Sequence, residues 1–320
     1  MPAKKSEIPV TPPAEPIRSA LVRKLIVHAK SEGDTLTAVP SLILYRRSSP
    51  TSCTSAAYQP SFVLFLEGQK RINLGRTTYL CGAGNFLLTS LDLPVVSQVV
   101  AATPETPLLG LILRLEISEV RRILSAEELP GSSAQAQAHP DLSIDPGGMA
   151  IGVASAELLN ACLRLIDLLD TPHDIPFLAA LIQQEIIYRL LRSPQGAHLR
   201  AIATLGDQSH RTAKAVSWLR MNYARPLRIE QLATMAQMGV STLHHHFRSL
   251  TSMSPLQYQK HLRLHVARER MLNDGLDAAT AAYEVGYESP SQFNREYSRF
   301  FGQPPMRDIK SRRSAIAAAD

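Results

Sequence analysis

Cysteine is scarce in this 320-residue chain: Cys53, Cys81 and Cys162 are the only three, widely spaced and without a Cys-x-x-Cys pair. That excludes a disulfide framework and a zinc ribbon, and leaves reduced thiols as the reading, with a redox sensor on Cys53 or Cys81 as its alternative. Histidine is missing between His28 and His139. A metal site of the non-haem type needs clustered imidazoles with a carboxylate, so no metal is expected there. Glu67 and Asp92 stand alone rather than as an acid/base pair, and neither a catalytic residue nor a cofactor is assigned. No uninterrupted apolar run reaches about 18 residues, and the N-terminus lacks the apolar core of a signal peptide. A cytoplasmic, nucleoid-associated protein with no membrane partner is expected.

Net charge is also missing from most of the chain. Residues 1–200 hold 18 basic and 18 acidic side chains, whereas residues 201–320 hold 16 and 10, so the whole net charge of +6 lies in the last third. A basic segment beside a neutral one is the electrostatic footprint of a nucleic-acid binder. The length suits about two domains.

The basic segment repeats itself. Leu243 and Phe293, Phe247 and Tyr297, and Pro255 and Pro305 are each 50 positions apart, while the pairs Leu232-Ala233 and Ala281-Ala282 are 49 apart. The second unit therefore has a turn one residue longer. Each unit reads as helix, tight turn, helix, over 227–250 and 277–301. In the second, Asp277 caps a helix through Val285, Gly286 turns the chain, and Ser289-Pro290 starts the next helix. Phe293, Tyr297 and Phe300 form its buried stripe, leaving Ser291, Gln292, Arg295 and Arg299 outward. In the first, Leu243, Phe247 and Leu250 are buried, with Ser241, Thr242, His244, His245 and Arg248 on other faces. Pro255 to Asn273 reads as one helix ended by Asp274-Gly275. At 1.5 Å per residue it spans about 28 Å, close to the roughly 34 Å between successive major-groove turns. The run His244-His245-His246 is no metal site, because neighbours on a helix point about 100° apart.

The segment from Trp218 to Arg307, above all Gly286-Tyr287-Glu288-Ser289-Pro290-Ser291-Gln292-Phe293-Asn294-Arg295 through Pro304-Pro305, resembles the DNA-binding domain of the AraC/XylS family of bacterial transcription regulators. The resemblance implies base-edge contacts from Ser241, His244 and His245 in one recognition helix and from Pro290, Ser291, Gln292 and Arg295 in the other. Gly239, His245 and Ser252 depart from the family pattern.

Upstream, residues 36–116 alternate short apolar runs with turn residues, giving strands at Leu42–Tyr45, Phe62–Leu66, Arg71–Leu74, Thr77–Leu80, Phe86–Thr89, Val95–Val100 and Leu108–Leu115. That density suits a small barrel or sandwich. Tyr58 to Arg71 and Ser90 to Val95 resemble the cupin-like N-terminal module of one AraC branch, which implies a small-molecule sensor coupled to dimerisation. Arg46, Arg47, Arg71 and Asp92 are the candidate effector contacts. A helix follows at Ser118–Leu129, then a Gly/Ser/Ala/Gln/Pro-rich loop at Pro130–Gly148, then helices at Ala150–Leu169 and Pro176–Leu191. The last two place Leu158, Cys162, Leu165 and Leu169 on one stripe, and Leu178, Ile182, Ile186 and Leu190 on another. Such helices mediate dimers in the family, or pack on the barrel.

The fold expected is α+β. A flexible arm and short helix (1–35, with Ile17, Leu21, Leu25 and Ile26 as the helix stripe) precede a cupin-like β-barrel with a helical dimerisation segment (36–195). An all-α domain of two helix-turn-helix units joined by a linker helix follows (205–310). The function expected is a sequence-specific transcription regulator, effector-responsive and activating. Its partners would be double-stranded promoter DNA, a small-molecule effector, a second copy of the chain and RNA polymerase. The alternatives are a barrel enzyme tethered to DNA and a ligand-independent repressor.

Overall fold

A computed structural model describes residues 14–75, 77–126 and 147–317 of the chain. Residues 1–13 of the expected arm and nearly all of the Pro130–Gly148 loop lie outside the described residues. Helix α1 (Ala14–His28) is followed by β1 (Gly33–Leu36), β2 (Leu42–Arg47), β3 (Thr54–Tyr58), β4 (Ser61–Glu67), β5 (Gln69–Leu74), β6 (Thr77–Gly82), β7 (Asn85–Thr89), β8 (Leu93–Ala101) and β9 (Leu108–Arg114). Helix α2 (Ile117–Ala126) and β10 (Met149–Val153) complete the β region. The strands form two antiparallel sheets, ordered β1-β2-β9-β4-β7-β10 and β3-β8-β5-β6.

The larger sheet is buried on both faces, which is why its strands read as unbroken apolar runs. Period-two alternation sends Leu42 and Leu44, Phe62, Leu64 and Leu66, and Leu109, Leu111 and Leu113 to a core shared with the helices. Tyr45, Val63, Phe65 and Leu108 point the other way, into the space between the sheets.

All seven expected strands are present. Three more were missed: β1 and β3 because Gly, Asp, Thr, Ser and Ala carry little periodicity, and β10 because it was read as the start of a helix. Met149–Val153 instead pairs with β7 at the sheet edge. The helix begins after Ser155, whose Oγ accepts the Leu158 N–H at 3.3 Å.

The remaining helices are α3 (Ala156–Asp167), α4 (Ile175–Arg192), α5 (Ala197–Ala203), α6 (Gln208–Met221), α7 (Ile229–Met235), α8 (Val240–Thr251), α9 (Pro255–Asn273), α10 (Ala278–Glu284), α11 (Pro290–Phe301) and α12 (Pro305–Ala317). Helix α1 lies on β4 and β9 of the larger sheet, α3 packs on α1, and α4 packs on α3 and α2, all within one core with the sheet's outer face. Leu21 and Leu25 of the α1 stripe are fully buried, but Ile26 faces solvent. The stripes through Leu158, Cys162 and Leu165 and through Ile182, Ile186 and Leu190 are intramolecular core, whereas Leu178, expected on the second, is 36% exposed because the buried side of its turn is taken by Ile175 and Ala179. Burial pushes the thiols of Cys81 and Cys162 up to about 12, so neither is a reactive thiolate; Cys53 is exposed.

The core between the sheets does not end at the β region. It runs on through Ile202, Val216 and Leu219 into Leu243, Phe247 and Tyr258 of the first helix-turn-helix unit. The second unit has its own core, built from Leu264, Met271, Val285, Phe293, Tyr297 and Ile309 on α9 to α12. Where the β region meets the first unit the backbones are in direct contact. The Gly148 N–H donates to the Leu250 carbonyl at 2.7 Å. Gly75, at φ 58°, lies so near that a Cβ there would come within 2.7 Å of Cβ of Ser252.

Candidate nucleic-acid interface

The two helix-turn-helix units are α7 with α8 and α10 with α11. Their turns span 236–239 and 285–289, so the second is one residue longer, as the repeat spacing requires. Gly286 holds the second turn at φ 89°, and a Cβ there would lie 2.1 Å from the Ala224 carbonyl oxygen. In the first turn Gln237 takes the same left-handed conformation at φ 55°.

Both second helices bury one stripe and expose the other. Leu243, Phe247 and Leu250 of α8 are buried, while Ser241, Thr242, His244, His245 and Arg248 are exposed. Phe293 and Tyr297 of α11 are buried, while Ser291, Gln292, Arg295 and Arg299 are exposed. Phe300 is only half-buried, with its ring 4.4 Å from that of His261. Ser289 caps α11 by accepting the Gln292 N–H at 3.4 Å, and Pro290 stands at the first helical position. Gly239 gives α8 no side-chain cap, and Ser252 ends it at φ 59°, in the left-handed position that Gly302 fills after α11.

Among the described residues Arg248, Arg295 and Arg299 have no carboxylate partner, so their charge is available to phosphates or base edges. Arg295 and Arg299 line an open groove of about 630 Å³ with Asn294 and Met306. Glu296 is turned away from that charge: its carboxylate pairs with Lys260 at 2.8 Å and accepts from the Tyr287 hydroxyl at 2.8 Å. Burial raises its pKa, but the Lys260, Tyr287 and Gln292 hydrogen bonds outweigh that and hold it below the usual carboxylate range.

Three features that anchor the linker helix were not read from the sequence, the first despite its Ser-x-x-Gln signature. Helix α9 starts with a capping box between Ser254 and Gln257. Arg263, midway along it, donates to the carbonyls of Tyr223 at 2.7 Å, Arg225 at 3.0 Å and Gly286 at 2.9 Å, tying the segment ahead of α7 and the turn of the second unit to the linker. Arg268 forms a two-pronged pair with Asp308 at 2.8 and 2.9 Å, and Asp308 also accepts from the Tyr297 hydroxyl at 2.7 Å.

The four candidate effector contacts do not converge. Arg46 and Arg47 lie at the end of β2, with Arg47 paired to Asp34 at 2.8 Å. Arg71 is exposed on β5, in the other sheet. Asp92 faces the helical region, its carboxylate paired with Arg220 of α6.

Residues 38–198 match the family described as the AraC-type transcriptional regulator N-terminus, and residues 232–310 match a helix-turn-helix domain. The chain is 29% identical over 153 residues to the HTH-type transcriptional activator RhaS of Yersinia pestis, covering 48% of this chain and 53% of that protein. It is 29% identical over 159 residues to the HTH-type transcriptional regulator ExsA of Pseudomonas aeruginosa, covering 49% and 56%. The chain thus spans about half the length of the curated relatives it matches. In fold it is similar to the apo ToxT structure from Vibrio cholerae, with a TM-score of 0.53 at 12% identity over 87% of this chain and 98% of that one.

Proposed function

The chain belongs to the AraC-type transcriptional regulators, and from that membership we propose that it binds promoter DNA by laying α8 and α11 in successive major grooves. The observation that carries this is α9: one helix of 19 residues, about 28 Å long, joins two units whose exposed faces are polar and cationic. Ser241, His244, His245 and Arg248 read one half-site; Ser291, Gln292, Arg295 and Arg299 read the other. The metal-free, non-enzymatic reading goes with this assignment, since every assigned role is recognition.

The relative named an activator supports activation here, with RNA polymerase as the further partner. A second copy of the chain is a third partner, and the outer face of α4 supports it. Phe177, Leu181 and Tyr188 are 74%, 51% and 36% exposed at helical spacing, on the side opposite the buried stripe. Residues 36–195 act as the sensor and dimerisation domain and residues 205–310 as the DNA-binding domain.

The test is selection from random DNA with the full chain. A bipartite motif with halves about one helical turn apart is expected. Recovery of DNA without a common motif would overturn the two-groove reading.

A further inference from the structure

Glu296 is the only acidic residue of α11, the helix that in the reading above enters a groove lined by phosphates. A carboxylate there repels DNA unless its charge is matched. It is matched from α9, whose Lys260 Nζ lies 2.8 Å from Oε1, while Oε2 accepts from the Tyr287 hydroxyl at 2.8 Å. Tyr287 is itself fixed: it is 6% exposed and its ring stands against that of Phe293, 5.3 Å between centres. A third donor reaches the pinned carboxylate from one turn earlier on α11. The Gln292 Nε2 donates to Oε1 at 3.4 Å. Burial pushes the Glu296 pKa up, but the bonds from Lys260, Tyr287 and Gln292 hold it below the usual carboxylate range, so the group is ionised at neutral pH and can only accept. The atom that Gln292 turns toward it must then be the nitrogen. That leaves the amide oxygen and the second N–H of an exposed side chain for an outside partner. Thr242 and His246 stand at the matching places of α8, so the first unit has no such pair.

We propose that Glu296 is a positioning residue for DNA reading: it holds the Gln292 amide with its oxygen outward, so that the second half-site carries an adenine, and not a guanine, at the base pair Gln292 meets. In the major groove adenine presents N7 as acceptor and the N6 amino group as donor, the complement of an amide N–H and oxygen. Guanine presents N7 and O6, both acceptors. An amide free to turn over can offer its nitrogen to guanine O6. Held by Glu296 it sets oxygen against oxygen, with no hydrogen between them, and this penalty against the wrong purine supplies the discrimination. Lys260 and Tyr287 act one step further back, by fixing the carboxylate that fixes the amide.

The full-length chain is titrated against the operator selected as above, and against variants carrying each of the four bases at one position at a time in the α11 half-site. At one position adenine should be preferred over guanine by about tenfold or more. Gln292→Met should erase that preference, and Glu296→Gln, of the same size, should reduce it to about threefold or less at that position alone. The double variant should match Gln292→Met, because the carboxylate acts only through the amide. Gln292 is exposed, so its variant keeps the fold and the base it reads stays legible even if Glu296→Gln loosens α11 from α9. Guanine or a pyrimidine at the position that Gln292→Met affects, no position affected by it, or a purine preference unmoved in Glu296→Gln overturns the proposal. So does a loss in Glu296→Gln shared equally by all sequences, which is what a group serving the fold alone would give. The proposal rests on the two-groove reading. A wild-type chain that selects no motif sinks that reading and this one with it, whereas a selected motif with any of the contrary outcomes sinks only the role of Glu296.

Discussion

The hydroxyl of Tyr258, in the first turn of α9, donates to the main-chain carbonyl of Asp92 across 2.9 Å. The same residue's carboxylate pairs with Arg220 of α6. One loop residue of the β region thus holds two helices of the DNA-binding region. Tyr258 is 2% exposed, so its hydrogen bond is shielded, whereas the Arg220 side chain is 46% exposed. Tyr258→Phe should therefore cost about 1 kcal/mol and leave the Asp92 carbonyl without that partner. Arg220→Gln should cost less, within about 0–1 kcal/mol. Urea unfolding of the full chain checks the order; a larger loss from Arg220→Gln would reverse the assignment of which contact matters.

Arg295 is the exposed arginine nearest the N-terminal end of α11, where recognition helices meet base edges. Arg295→Ala should lower affinity for the selected operator by about 1–3 kcal/mol and relax preference at one base position. Gel-shift titration against the operator and single-base variants decides this. A loss shared equally by all sequences would mean the residue touches phosphate only.

The Arg268–Asp308 pair is almost fully buried, both residues being 6% exposed, and the Arg268 guanidinium lies 3.9 Å from the Phe301 ring centre. Removing one partner strands a buried charge. Asp308→Ala should destabilise by about 3–5 kcal/mol, and Arg268→Met with Asp308→Leu should recover most of that, because the desolvation cost then disappears from both sides. Calorimetric or urea unfolding of the single and double variants supplies the comparison. A double variant as unstable as the single would show that packing, not charge, is what was lost.

Acid should unfold the second unit first. Burial, with Lys260 nearby, lowers His261 to about 4; burial, with Arg268, His261 and Arg312 nearby, lowers His265 to about 3. Their ordinary value is near 6.5, so between about 6.5 and 4 the unfolded chain binds protons that the folded chain refuses. Their contribution is complete above about pH 6.5 and is lost as pH falls through that window. Melting temperature followed from pH 7.5 to 5 should decline, and His261→Phe, which keeps a ring beside Phe300, should flatten the decline. A melting temperature independent of pH over that range would exclude proton-linked burial.

Much of the helical region was legible because its signals are local. The turn lengths, the Asp277 and Ser289 caps and the run Pro255–Asn273 each depend on residues within a few positions of one another. The β region was legible in its seven apolar strands and not in β1, β3 and β10, whose pairing is dictated by neighbours rather than by their own side chains. The same distinction separated the stripes of α4. Periodicity found the buried one through Ile182, Ile186 and Leu190 but also placed on it Leu178, which is 36% exposed, and the exposed stripe through Phe177, Leu181 and Tyr188 became visible only once α2 and α3 covered the other side.

By itself, then, the sequence determined two repeated helix-turn-helix units, the linker helix between them, the polar face of each recognition helix and a sheet-rich segment ahead of them. These follow from helical and strand periods, from caps and turns, and from where the positive charge lies. Only the tertiary structure decided what Asp92, Arg263 and Arg268 are for. Asp92 meets partners 128 and 166 residues away, and Arg268 meets one 40 residues away. Contacts across such separations have no period in the sequence. They are fixed by which surfaces the packed cores bring together, so the contact of Lys260 with Glu296 exists only in the folded chain.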